Sequence, residues 1–147
     1  MTTAGPDQPA NPLGRPAPSL RGVSPRGDPV EIAMEGASAL LIFITSDCRE
    51  CRDLWESMRR GSPPEGLVVV TPSPSTESRR RLAGLLPPGV VAVMSSDAWF
   101  DYGVGKAPSC RLVAGGVVVA GGPAPATWDD LVSAFSPGAG GGCGTGG

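Results

Sequence analysis

Ala39-Leu40-Leu41-Ile42-Phe43-Ile44 runs through Thr45-Ser46-Asp47 into Cys48-Arg49-Glu50-Cys51, and on into Arg52-Asp53-Leu54-Trp55-Glu56-Ser57-Met58. The first six side chains are all apolar, so a strand built from them must be covered on both faces. From Cys51 the period changes. Cys51, Leu54, Trp55 and Met58 recur at i, i+3, i+4 and i+7, while Arg49, Arg52, Asp53, Glu56 and Arg60 form the opposite polar face. The pattern predicts a buried strand that passes directly into an amphipathic helix, which ends near Gly61-Ser62-Pro63-Pro64. Cys48 falls at the first turn of that helix and Cys51 one turn further in.

Working outward, Leu67 to Val70 predicts a second strand. Ser75 to Leu86 predicts a second helix, opened after Pro74 and stopped by Pro87-Pro88. Val90 to Val93 is the third strand, followed by a short irregular or helical piece around Trp99 to Tyr102. Cys110 to Val113 and Val117 to Ala120 flank Ala114-Gly115-Gly116, a hairpin signal. Thr127, with Asp130 three residues on, opens a last amphipathic helix containing Trp128, Leu131, Val132 and Phe135. Right-handed crossovers place the first strands in a parallel sheet, and the hairpin adds antiparallel strands at one side. The fold class expected is α/β, a mixed central sheet sandwiched by helices.

Residues 1–29 hold seven of the seventeen prolines and are expected to form an extended N-terminal arm outside the core. Residues 30–136 form the domain, and residues 137–147, more than half Gly, a flexible tail. The net charge of −2 argues against a nucleic-acid partner, which needs a basic surface. The six-residue run from Ala39 to Ile44 is far too short to cross a bilayer. Neither a membrane association nor an export signal is expected, which leaves the cytoplasm and a monomer as defaults. The chain has no histidine, which removes Ser-His and Cys-His catalysis and His-ligated metals together. Gly103-Val104-Gly105-Lys106 lacks the Ser or Thr of a phosphate loop and is followed by Ala107-Pro108, so no nucleotide site is assigned. Arg79-Arg80-Arg81 reads as a solvated helix face.

The chemistry therefore rests on cysteine. Amides at a helix N-terminus are unpaired and the dipole is positive there, so a thiolate at Cys48 is stabilised. Cys51, on the apolar face, is sheltered yet spaced to reach Cys48 and resolve a mixed disulfide. Two cysteines at this spacing also match half a zinc site; their place between a buried strand and an amphipathic helix is what favours redox chemistry. Cys110 reads as a buried strand residue behaving as a small hydrophobe. Cys143, in the Gly-rich tail, reads as an exposed thiol.

Phe43 to Cys51 resembles the strand and active-site turn of the thioredoxin superfamily. Ala107-Pro108-Ser109, continued by Cys110 to Ala120, is similar to that family's cis-proline, strand, turn, strand segment, with Gly116 in the turn. Pro12-Leu13-Gly14-Arg15-Pro16-Ala17-Pro18 is similar to the N-terminal arm of its TlpA-like and alkyl-hydroperoxide-reductase-like branches. The resemblance spans roughly residues 12–136. It implies a thioredoxin-like fold and a thiol-disulfide oxidoreductase with Cys48, Cys51 and Pro108 as site residues. Pro108 would be cis, its backbone holding an extended substrate beside Cys48. The implied substrate is a disulfide-containing protein or a small thiol; the electron donor is not indicated, and no cofactor or resident metal is expected.

Three positions depart from the family pattern. Asp47 stands where a Trp commonly precedes the first cysteine, and its carboxylate opposes the helix dipole unless it caps the helix. Ile42 replaces a buried acid six positions before Cys48, and Arg49-Glu50 replaces Gly-Pro. Two other functions compete. Thr45, three before Cys48, with Arg111 as a cationic partner, suggests a peroxiredoxin-like peroxidase, although Leu41 stands where that motif has proline. The other is a non-enzymatic binding or zinc-carrying module using Cys48, Cys51 and Cys110.

Overall fold

The computed structural model describes residues 14–61, 66–125, 127, 130 and 131. Seven strands form one sheet: β1 (Leu20–Val23), β2 (Pro29–Ile32), β3 (Ala39–Phe43), β4 (Leu67–Thr71), β5 (Val91–Met94), β6 (Ser109–Ala114) and β7 (Val117–Pro123). Their spatial order is β2-β1-β5-β4-β3-β6-β7. Strands β3, β4 and β5 are parallel, and β6 joins β3 antiparallel with Ile42 opposite Cys110 and Phe43 opposite Ser109. The helices are α1 (Arg49–Arg60), α2 (Arg79–Leu85) and α3 (Ser96–Asp101). The expected α/β architecture with a mixed sheet is present.

All five residues of β3 are buried, and the pleat sorts them between two cores. Leu40 and Ile42 pack with Leu54, Trp55, Met58 of α1 and Leu82 of α2. Leu41 and Phe43 pack on the other face with Ala98, Tyr102 and Val104. Phe43 meets Trp99 edge-on, ring centroids 5.6 Å apart. Because β3 lies between β4 and β6, its C-terminal end, which feeds Cys48, sits at mid-sheet.

Two features depart from expectation. Leu20, within the segment expected to stay outside the core, is fully buried, and β1 and β2 form a hairpin docked antiparallel on β5 through Val23 and Met94. The turn is closed by Ser24 N–H donating to the Asp28 carbonyl and Gly27 N–H to that of Ser24 (both 2.8 Å). Further back, Ala17 N–H donates to the Gly116 carbonyl (2.8 Å), and the Tyr102 hydroxyl donates to that of Pro18. The Pro-rich chain thus lies against the domain, held by bonds from its own backbone groups. The second difference is α2, which opens at Arg79 rather than Ser75. Ser78 is its N-cap, accepting from Arg81 N–H at 3.1 Å, because Glu77 is turned into the protein instead of entering the helix. Arg79, Arg80 and Arg81 are exposed. The last expected helix falls mostly outside the described residues; Asp130 N–H does donate to Thr127 Oγ1 (3.2 Å), and Leu131 is buried.

The docking of β1 depends on Gly22. A Cβ at that position would stand 2.2 Å from the Met94 carbonyl oxygen, a backbone atom that cannot step aside. Gly22→Ala is expected to destabilise the protein by about 1–3 kcal/mol and to open the hairpin to proteases. Urea unfolding checks this; an unchanged midpoint would contradict the close approach of the two strands.

Candidate functional site

Cys48 is itself the N-cap of α1. Its backbone is extended (φ −76°, ψ 130°) and its Sγ accepts from Cys51 N–H at 3.2 Å. The sulfur thus takes the place that a Ser or Asp oxygen occupies at other helix starts, directly on an otherwise unpaired amide. Asp47 is exposed and does not cap the helix. Glu50 lies in the first turn, and Arg59 and Arg60 in the last, both in keeping with the helix dipole.

Cys51 is fully buried, while Cys48 is half-buried. Both are free thiols. Burial pushes the Cys51 thiol up to about 12, and the hydrogen bond and charge of Cys48 add to this; hydrogen bonds from the backbone and side chain of Thr45 act in the other direction. Trp55 Nε1 donates to the Thr45 carbonyl (2.9 Å), which ties the loop before Cys48 to the second turn of α1.

From the other side of the sulfur, the Cys48 thiol donates to the Ala107 carbonyl at 3.9 Å. The Ala107–Pro108 peptide bond is cis. The fold therefore brings together the three residues singled out in the sequence: Cys48 and Cys51 on one turn of α1, and the Ala107-Pro108 segment that leads into β6. Ile42, in place of an acid, is fully buried in the core under α1.

Cys110 is not a free small hydrophobe as expected. It is buried and disulfide-bonded, which also withdraws it from any thiolate ligand set with Cys48 and Cys51. Among the described residues no group of three or more Cys, Asp or Glu is placed to hold a metal ion. Cys143 lies outside the described residues. No helix among the described residues is long and apolar enough to cross a membrane.

Two neighbours of the site carry more than the sequence indicated. Glu77, 6% exposed, accepts from Ser46 N–H (2.9 Å), from the Ser46 hydroxyl and from Ser78 N–H (2.9 Å). It joins the loop two residues before Cys48 to the start of α2. Nothing in the local sequence marks it, because its partner at Ser46 is thirty-one residues away. Arg111, the cation considered for a peroxidase, is buried on the α3 face of β6 and bonds backbone carbonyls.

No protein-family model and no curated protein sequence matches the chain. Solved structures do. The thioredoxin domain of a thiol-disulfide oxidoreductase from Bacteroides vulgatus is 20% identical, with 81% of this chain and 91% of that one covered and a TM-score of 0.60. StoA from Bacillus subtilis is 18% identical over 78% and 94% of the two chains, with a TM-score of 0.60. A secreted disulfide oxidoreductase from Mycobacterium tuberculosis, homologous to DsbE of E. coli, is 16% identical over 78% and 91%, with a TM-score of 0.62. At these identities the likeness is one of fold. The fold is thioredoxin-like.

Proposed function

We propose that the protein is a thiol-disulfide oxidoreductase in which Cys48 attacks and Cys51 resolves. The observation that carries the reading is the Cys48 sulfur in the N-cap position of α1, 3.2 Å from the Cys51 amide, with the Ala107-Pro108 segment alongside. The fold likeness to two disulfide oxidoreductases supports it. In the reducing direction, the Cys48 thiolate forms a bond to one substrate sulfur and expels the other as a thiolate. Cys51, after losing its proton, then bonds to Cys48 and expels the first. Two electrons pass to the substrate and a Cys48–Cys51 disulfide remains. The Ala107-Pro108 bend, which precedes β6, flanks the sulfur and offers a disulfide-bearing chain a place to lie.

Insulin-disulfide reduction driven by dithiothreitol tests this with wild type, Cys48→Ser and Cys51→Ser. Turnover is expected to be lost in both variants, and the Cys51→Ser protein should accumulate mixed disulfides visible by mass. Retained turnover in Cys48→Ser would remove the reading, and consumption of peroxide with insulin untouched would replace it with a peroxidase.

A further inference from the structure

Among the described residues, Arg111 is a buried cation that meets no acid. It is 8% exposed, and its donors go to main-chain carbonyls: Nε to Tyr102 (3.2 Å), Nη2 to Gly103 (3.2 Å) and Nη1 to Cys110 (2.9 Å). A guanidinium has five N–H groups, so these bonds leave two more, one on each terminal nitrogen. Among the described residues the one ion pair is Arg21 with Glu31, on the distant β1–β2 hairpin. Desolvating a charge without a counter-ion is costly. Closing the end of α3 explains the bonds to Tyr102 and Gly103, the third goes to the neighbouring carbonyl on β6, and none of them requires a permanent positive charge.

The charge faces a cavity. It encloses about 510 Å³ and is lined by Arg111 and Lys106, by Ala107 and Pro108, and by Glu50 and Gly122 among others. Gly121 is what leaves the guanidinium its place, since a Cβ there would come within 2.6 Å of Arg111 Cδ and 3.1 Å of Nε. At its other end the cavity reaches Ala107, whose carbonyl contacts the Cys48 sulfur. Arg111 follows Ala107 by four positions, at most roughly 13 Å of chain, and the arginine side chain spans part of that distance. Glu50 at the rim is the opposing charge and Lys106 offsets it. The exposed Asp47 and the net charge of −2 give anions no general attraction, so any preference for them must come from Arg111 and Lys106.

We propose that this cavity seats the carboxylate of a small, peptide-sized disulfide, with the Arg111 fork on the carboxylate and Cys48 at the disulfide sulfur. The assignment rests on the thiol-disulfide reading above and names its substrate class. The free N–H on each terminal nitrogen matches the two oxygens of a carboxylate. For a substrate R–S–S–R, the Cys48 thiolate bonds to one sulfur and R–S⁻ leaves to take a proton from water. Cys51 then displaces the second R–S⁻. The protein dithiol supplies both electrons and is restored by an external dithiol.

Prereduced protein, freed of dithiol, is mixed with glutathione disulfide or with the disulfide of glutathione ethyl ester, in which the glycine carboxylates are masked. Each rate constant is divided by that disulfide's rate with free dithiothreitol. Wild type is expected to favour the acid at least tenfold at low ionic strength, and Arg111→Gln to bring the ratio within about twofold of one. S-methylglutathione, which cannot exchange, should inhibit the wild-type reaction at least tenfold more strongly than its ethyl ester; this arm decides if Arg111→Gln does not fold. A wild-type ratio near one, an unchanged ratio in folded Arg111→Gln, or equal inhibition by acid and ester each overturns the assignment. If hydroxyethyl disulfide and insulin react normally in that case, the Arg111 site alone falls. If neither oxidises the protein, the exchange reading falls with it.

Discussion

Glu77→Ala is expected to destabilise the protein by about 3–5 kcal/mol and to slow alkylation of Cys48 several-fold. The carboxylate holds two backbone donors, Ser46 N–H and Ser78 N–H, each at 2.9 Å, and the Ser46 hydroxyl besides. Hydrogen bonds to a charged acceptor contribute about 1.5–3 kcal/mol each, and alanine takes the acceptor from both amides, whose bonds to the carboxylate are partly buried. The lost burial cost of the carboxylate offsets part of the sum. Stability and reactivity should fall together because the bonds reach both ways. On one side they anchor the loop that delivers Cys48 to the α1 amides; on the other they set the N-cap of α2. Glu77→Gln keeps an acceptor oxygen and a similar shape, and is expected to lie between wild type and alanine in both measurements. Urea unfolding gives the first quantity and iodoacetamide kinetics the second. A Glu77→Ala protein that unfolds earlier but alkylates at the wild-type rate would show that the loop holds its shape without the carboxylate.

Glu77 also marks where sequence stopped being informative. The run from Ala39 to Met58 could be read directly, because burial on both faces and helical amphipathicity are local patterns, and they place Cys48 at the strand-to-helix junction where it is found. The Ala114-Gly115-Gly116 turn and the flanking strands β6 and β7 could be read for the same reason. A buried carboxylate has no such signature, since whether Glu77 faces inward is decided by Ser46 across the sheet. The β1–β2 hairpin was hidden by composition. Ser24-Pro25-Arg26-Gly27-Asp28 is a turn sequence, but the prolines around it describe an arm, and only packing with residues distant in sequence, Phe43, Val93 and Tyr102 among them, buries Leu20. Arg111 stood out as a cation near the site, yet its lack of an acid partner depends on what folding leaves around it. Cys110 looked inert because its pairing in a disulfide is a long-range fact that strand periodicity does not carry.

Resolution of a Cys48 mixed disulfide is expected to accelerate about tenfold per pH unit from pH 7 to pH 9. Cys51 must be a thiolate to attack, and its proton is held up to about 12, first by burial and then by the hydrogen bond and charge of Cys48. Once Cys48 is bonded to substrate, that charge is gone, so the Cys51 thiol becomes more acidic at the stage when it is needed. Burial persists, and the thiolate fraction stays small across the neutral range. Each pH unit then raises that fraction tenfold. Release of a chromogenic thiol in a single turnover gives the slope, and a rate that levels off below pH 8 would contradict a strongly held Cys51 proton. The same shift affects stability with a definite sign. Above the ordinary thiol value of 9.0 the unfolded chain has released the Cys51 proton and the folded chain still binds it, so stability is intact below about pH 9 and falls as pH rises toward about 12. Tyr102, raised by burial and by Asp101, acts in the same sense. Each such group contributes about 1.4 kcal/mol of loss per pH unit inside its window. Cys51→Ser should therefore show a shallower alkaline decline than wild type in urea unfolding between pH 9 and pH 11, and equal declines would mean that the buried thiol ionises as freely folded as unfolded.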